Sequence, residues 1–318
     1  MKKCLFMLAT LFLVACGNRK TEESATTNGD GLSGQIQMSG AFALYPMAVR
    51  WAEEFKNLHP DVKIDISGGG AGKGMTDALS GTVDIGMVSR EVYPEELKNG
   101  AFAIATVKDA VVITINAANP HMQDIKTVGI TREKAMRLWN EEIKTWGQLL
   151  DKDIKSSVHV FTRSDACGAA ETFAAWMGRK QENLKATAVF GDPGVAASVQ
   201  KDKISVGFNN IAYAYDQQTK KPYEGMAILP IDVNGNGKVD PEEDFYDNTA
   251  DLIKAIDEGR FPSPPARYLY LVTKGKPTRP VVVEFLKFIV TEGQQYANET
   301  GYIALSEEQM KTEQEKLN

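Results

Sequence analysis

The sequence predicts an α/β fold in two parts, and three observations carry that prediction. Runs with strand-like alternation hand over repeatedly to runs with helical spacing, the pattern of an α/β domain. About 285 residues follow a polar N-terminal stretch, a length that suits two domains better than one. One apolar stretch, from Phe102 to Ile115, is long for a single strand and suits a crossing between two domains.

The chain opens with Lys2 and Lys3, an apolar run from Leu5 to Val14, and Leu13-Val14-Ala15-Cys16. This order reads as a lipoprotein signal over residues 1–15, whose cleavage leaves Cys16 as a lipid-bearing N-terminus. The apolar run is too short to span a bilayer comfortably. A plain secretory signal with a chance cysteine is the alternative. Residues 16–31 are polar, rich in Thr, Ser, Asn, Glu and Gly, and read as a flexible tether. The body is therefore expected outside the cytoplasm, held to a membrane through Cys16.

Gln35 to Ser39 reads as the first strand. From Tyr45, the apolar residues Met47, Val49, Trp51, Ala52, Phe55 and Leu58 recur at helical spacing until His59-Pro60 stops them. Val62, Ile64 and Ile66 alternate as a strand. Gly68 to Gly74 is a glycine-rich turn, Met75 to Leu79 a short helix, and Val83 to Val88 a buried strand ending at Ser89-Arg90. The long stretch Phe102–Ile115 carries Lys108-Asp109 in its middle. Thr131 caps a helix to Trp139. Val158–Thr162 is a strand, Gly168–Met177 a helix, and Asp192-Pro193 opens another helix, since proline is tolerated in the first turn. Ile204–Phe208 is a strand, Tyr268–Thr273 a strand that suits a return to the first domain, and Val281–Val290 an amphipathic helix. Trp51, Trp139, Trp146 and Trp176 read as core.

Four segments share one property: Ser39–Pro46, Gly68–Gly74, Ser89-Arg90 and Thr162–Gly168 each sit where a strand hands over to a helix. A helix start exposes unpaired N–H groups and the positive end of a dipole, which suits an anion. The second segment alone reads equally as a simple strand-to-helix turn, and it is not a P-loop, because Ser67 and Gly74 stand where Gly and Ser or Thr are needed.

Composition sets limits. Of 318 residues, 43% are hydrophobic and 25% charged, ordinary for a folded chain. The formal charge is −6, and loss of Lys2 and Lys3 takes it to −8, which argues against nucleic acid as a partner. A small anion remains compatible, since local dipoles and one or two arginines suffice. Cys4 leaves with the signal and Cys16 would carry lipid, so Cys167 alone remains as a thiol.

The order of these segments is similar to the phosphate-binding proteins of phosphate-specific ABC importers, the PstS family of type II periplasmic binding proteins. The similarity runs from about Gly34 to Tyr302. It is carried by the Gly40–Pro46 turn, Val83-Asp84-Ile85-Gly86 with Ser89-Arg90, Thr162-Arg163-Ser164-Asp165 with Gly168, and Gly194-Val195-Ala196 with Val206-Gly207-Phe208 and Ala212–Tyr215. The resemblance implies two α/β lobes closing on one oxyanion, with residues 32–108 and 266–318 in the first lobe and 109–265 in the second. It implies a monomeric binding protein, not an enzyme, that delivers phosphate or a related oxyanion to an ABC permease.

The contacts carried over are Ser39, Ala43 and Leu44 in the first turn, Gly72 in the second, Ser89 and Arg90, then Arg163 with Asp165 orienting it, and Cys167 and Gly168. A guanidinium fork suits phosphate, and a neighbouring carboxylate would hold the fork in place. Relatives often have hydroxyls where this chain has Phe42-Ala43, a serine where it has Ala71-Gly72, and Ser-Gly-Thr where it has Cys167-Gly168-Ala169. Some have an aspartate at the end of the Val83–Val88 strand, where it accepts the proton of hydrogen phosphate. This chain has Ser89-Arg90 there. The alternatives are another oxyanion, a phosphorylated small molecule, or a sensor or scaffold lipoprotein with no transport role.

A second motif is separate. Asp232, Asn234, Asn236, Asp240 and Glu243 fall at positions 1, 3, 5, 9 and 12 of an EF-hand-type loop, with Gly237 at position 6 and the Lys238 carbonyl at position 7. This predicts a lone structural Ca²⁺ loop; an Asn-Gly-rich acidic hairpin is the alternative. An enzyme reading finds less. His59, His121 and His159 form no zinc pattern. Cys167 at a helix start is expected to have a lowered pKa, yet His159 lies at the far end of the preceding strand, out of reach for a Cys–His dyad.

Overall fold

Residues 31–318 are described by a computed structural model; the signal, Cys16 and nearly all of the tether lie outside them. The first lobe starts with β1 (Gly34–Gly40), α1 (Tyr45–Leu58), β2 (Val62–Gly68), α2 (Ala71–Ser80), β3 (Ile85–Val88) and α3 (Pro94–Lys98). Strand β4 (Ala101–Asn116) leaves it. The second lobe holds α4 (Met122–Val128), α5 (Arg132–Leu138), α6 (Trp146–Leu150), β5 (His159–Arg163), α7 (Gly168–Trp176), β6 (Thr187–Val189), α8 (Gly191–Lys201), β7 (Ser205–Asn210), α9 (Ile211–Ala214), β8 (Met226–Ile228) and α10 (Thr249–Asp257). Strand β9 (Ala266–Lys274) returns to the first lobe, which ends with α11 (Pro280–Ile289) and α12 (Glu307–Leu317).

The strands run in the order β2-β1-β3-β9-β4-β7-β5-β6, with β8 also on β4. β1 pairs in parallel with β2 and β3, and β5 in parallel with β6 and β7, as strands joined by crossover helices do. The centre is antiparallel: β9 pairs with β3 and β4, and β4 with β7. β4 and β9 belong to both halves. Ala101, Ile104 and Val107 of β4 join the first core, and Ala110 to Ile113 with Ile115 join the second. The strand is buried along nearly its whole length, which is why it reads as one apolar run. Its pairing with β9 shifts register between Ala105 and Val107, where the cores part.

Each core is closed by the helices its sequence period predicts. α1 buries Met47, Ala48, Trp51 and Phe55, and Phe55 meets Phe285 of α11 with ring centroids 5.0 Å apart. Trp51 donates its indole N–H to the Gly293 carbonyl at 2.9 Å. In the second lobe, Phe173 of α7 packs 4.8 Å from Trp139 and 4.6 Å from Phe208 of β7. Trp139 and Trp146 donate to the carbonyls of Phe161 and Ile204, so their burial leaves no indole N–H unmatched.

One element departs from expectation. α2 starts at Ala71 rather than Met75, so the second half of the glycine run is helix. The reason is packing. A Cβ on Gly74 would sit 2.4 Å from the Met87 carbonyl oxygen and 2.9 Å from Gly40 Cα, so the helix lies directly on the backbones of β1 and β3. No helix among the described residues is long and apolar enough to cross a membrane.

Candidate functional site

The four strand-to-helix segments meet where the lobes touch. Gly168 starts α7 in the second lobe, and a Cβ there would fall 2.0 Å from the Ser89 carbonyl oxygen of the first. Gly70 faces Ala166 and the Asp165 carboxylate in the same way, and the Gly72 N–H donates to the Ala166 carbonyl at 3.3 Å. Phe42 stacks edge-on against Phe190 at 5.8 Å, and its carbonyl accepts from the Tyr213 hydroxyl at 3.1 Å.

Arg163, the last residue of β5, is the centre of this junction. Its Nε and Nη2 form a fork onto Asp165, at 2.9 and 2.5 Å, and its Nη1 reaches Asp192 at 2.5 Å. Three of the five guanidinium N–H donors are thereby used, and two are left. Its side chain is buried and its face lies 5.8 Å from the Phe42 ring. Burial alone would lower the Arg163 pKa; the Asp192 and Asp165 charges outweigh it, so the group stays firmly cationic. Burial likewise opposes the charge on Asp165, but the Arg163 hydrogen bonds prevail and hold its carboxyl below the usual range.

Asp192 was expected only to open a helix. It is 1% exposed, and beyond Arg163 it accepts from the Asn210 N–H at 3.0 Å. Asn210 in turn accepts from Arg267 Nη2, and Arg267 lies opposite Asp109 in the β4–β9 register, 3.6 Å from its carboxylate. A continuous polar chain therefore runs from the cleft, through Arg163, Asp192, Asn210 and Arg267, to Asp109 between the two cores. Sequence reading found Arg163 and Asp165 and missed the rest. The signal available was charge inside apolar runs, at Asp109 and Arg267.

The other expected contacts fare unequally. Ala43 and Leu44 are buried in the first turn, and the Ala43 carbonyl accepts from the Tyr302 hydroxyl at 2.7 Å. Ser39 turns its hydroxyl onto Asp77 of α2 at 2.6 Å, and Asp77 is itself paired with Lys73. The Gly72 N–H is occupied by Ala166. Ser89 is buried against Gly168. Arg90 is not free for an anion: Glu96 takes its Nη1 and Nη2 at 2.9 and 2.7 Å, Glu171 lies 3.0 Å from its Nε, and its plane stacks 4.2 Å over Tyr93. The Cys167 N–H donates to Gln181, and its sulfur accepts from the Ala170 N–H. The lowered thiol pKa expected from the helix start is reversed, since burial pushes Cys167 up to about 12. His159 is paired with Asp202 at 2.6 Å, outside this junction.

The loop at 232–243 keeps the Asp232 and Glu243 carboxylates on its own backbone. Asp232 accepts from the N–H groups of Gly235 at 2.7 Å, Asn236 at 3.2 Å and Gly237 at 2.8 Å. Glu243 accepts from Val233, Asn234 and Asp240. Lys238 pairs with Asp240 at 2.7 Å, and that bond, with those from Asn234 and Asn236, lowers the Asp240 pKa to about 2. Gly237 has φ +86°, as position 6 requires. Neither flank is helical, since β8 ends at Ile228 and α10 starts at Thr249. Among the described residues, no three His, Cys, Asp or Glu side chains are gathered in a way that could hold a metal.

Comparison with known proteins decides the family. The PBP superfamily domain matches over residues 24–292. The chain belongs to the PBP superfamily. The phosphate-binding protein PstS of Staphylococcus haemolyticus is 24% identical over 318 residues, covering 96% of this chain and 92% of that protein. A structure assigned as a phosphate ABC transporter substrate-binding protein of Clostridium perfringens, with bound phosphate, superposes with a TM-score of 0.70 at 21% identity, over 86% of this chain and 100% of that one. An ABC-type phosphate transport receptor from Vibrio cholerae gives 0.62 at 20% identity, over 86% and 100%. The two-lobed periplasmic binding protein fold expected from the sequence is thus the fold of this superfamily member, and none of these relatives is named for a catalysed reaction.

Proposed function

We propose that this chain is an extracytoplasmic binding protein, tethered by lipid on Cys16, that captures inorganic phosphate between its lobes and delivers it to an ABC permease. The observation that carries the reading is Arg163: a buried guanidinium at the junction of four strand-to-helix turns, with two N–H donors left after its carboxylate partners are counted. Such a fork is fixed in orientation before the ligand arrives, which reduces the entropy lost on binding. Helix starts at the first turn and at Gly168 add N–H donors and positive dipole ends. The names of the relatives point to the same ligand.

The test is calorimetric titration of the protein, unfolded and refolded to strip carried-over ligand, with phosphate, arsenate, sulfate and molybdate. Binding of phosphate and arsenate with sulfate excluded supports the reading. Equal binding of sulfate reassigns the site to oxyanions in general, and binding of none moves it to larger ligands or a non-transport role. Mass spectrometry of the mature chain tests the anchor, which requires a diacylglyceryl group on Cys16.

We also propose that the 232–243 loop binds Ca²⁺ weakly in a structural role, supported by residue types at every ligand position and by the burial of Asp232 and Glu243. Binding would exchange the Val233 and Asn234 N–H bonds of Glu243 for the ion. Millimolar Ca²⁺ is expected to raise the unfolding temperature of the parent and not of Glu243→Gln; an equal rise in both removes Glu243 as a ligand.

A further inference from the structure

Arg163 is covered by a phenyl ring. Phe42 begins the turn between β1 and α1, and its carbonyl accepts from the Tyr45 N–H and from the Tyr213 hydroxyl of the second lobe. The Arg163 guanidinium lies over the ring, 5.8 Å from its centre, and the ring meets Phe190 of the second lobe edge-on. Arg163 keeps one unused N–H on each Nη, since Asp165 takes Nε and one Nη2 hydrogen and Asp192 takes one from Nη1. Both remaining donors therefore belong to the group that the ring covers.

Glycines on two sides make room for the ring. A Cβ on Gly68, at the end of β2, would fall 2.4 Å from a ring carbon, and one on Gly191, at the start of α8, 3.3 Å from another. These glycines belong to different lobes, so the ring is inserted between the lobes. Gly191 is itself tied to the Arg163 cluster, because its N–H donates to the Asp165 carboxylate at 3.0 Å. Phe42 also lines a cavity of about 670 Å³, together with Tyr45, Pro46, Pro193 and Tyr213. That volume is in the range that holds small organic ligands. Arg163, Asp165 and Asp192 are not among its walls, so Phe42 is what the cavity and the surroundings of Arg163 have in common.

We propose that Phe42 is a specificity residue: its ring closes the anion position on Arg163 off from this cavity, so that the site takes the free oxyanion and refuses its organic esters. This deepens the phosphate reading above and rests on it. Inorganic phosphate ends in four small oxygens. A monoester carries carbon on one of them, and that carbon group must leave a site closed between two lobes. The cavity is large enough to take it, and the ring stands in the way. Charge separates the two ligands poorly, since a monoester also carries about −1.5 to −2 at pH 7. Exclusion therefore falls to shape.

The test is calorimetric titration of the stripped parent and of Phe42→Ala with inorganic phosphate and with phenyl phosphate, whose ring suits the space that the substitution empties. The expected result is a parent that binds phosphate and refuses phenyl phosphate. In the variant, affinity for phenyl phosphate relative to phosphate is expected to rise by about tenfold or more. A parent that binds both equally, or a variant that binds phosphate and still refuses the ester, overturns the proposal and leaves the phosphate reading intact. So does a folded variant that binds neither, because the ring would then serve the anion itself. A parent that binds no phosphate overturns both. Should Phe42→Ala fail to fold, Phe42→Leu, which keeps an apolar side chain of shorter reach, is judged by the same ratio.

Discussion

Arg163 is oriented by two carboxylates at once, and that sets what single substitutions should do. Arg163→Lys keeps a positive charge but loses the planar fork. Phosphate affinity is expected to fall by about 1.5–3 kcal/mol, the range for hydrogen bonds to charged groups, as read by calorimetry. Asp165 gives a pH prediction. Its pKa is lowered in the folded protein by the Arg163 bonds, so its contribution to stability is present above the unfolded value, near 3.9, and is lost as pH falls through the folded one. The parent should lose unfolding temperature below about pH 4 more steeply than Asp165→Asn; parallel profiles would remove Asp165 from the acid response. The Arg163–Asp165 pair was legible because its members are two residues apart. Asp192 is 29 residues further on and Arg267 lies opposite Asp109 in another strand, so nothing in the local pattern joins them. Ser39, Gly72 and Arg90, expected as ligand contacts, are taken up here by Asp77, Ala166 and Glu96, and sequence order does not show which carboxylate or carbonyl will lie nearest.

Elements were read more completely than residues. β1, α1, β2, β4, α7, β7, β9 and α11 follow from period and burial, because each buries one face or a whole strand against a core. α9, with four residues, and β6, with three, are too short to show a period. The start of α2 was misplaced because glycines that read as a turn are instead the helix face laid on β1 and β3. That packing is testable. Gly74→Ala drives a methyl group into the Met87 carbonyl, and the protein is expected to lose about 1–3 kcal/mol in denaturant unfolding. A variant as stable as the parent would show that α2 can lift from the sheet without cost.

At the scale of the molecule, the lobes share β4 and β9 and meet again at the cleft through Gly168 with Ser89, Gly70 with Ala166, Phe42 with Phe190, and Arg90 with Glu171. The lobes share a base in β4 and β9, and the glycines let their backbones come together at the cleft. Gly168→Val should hold the lobes apart. Phosphate is expected to shrink the radius of gyration of the parent in small-angle scattering and to leave that of the variant unchanged; an equal contraction in both would show that Gly168 does not gate closure. The central claim is that the anion sits between the lobes on Arg163, and a crystal structure of the stripped protein grown with phosphate addresses it most directly. The account predicts one phosphate buried between the lobes, its oxygens on the two remaining Arg163 N–H donors and on N–H groups of the first turn and Gly168. A phosphate bound elsewhere, or closed lobes with no anion between them, would contradict it.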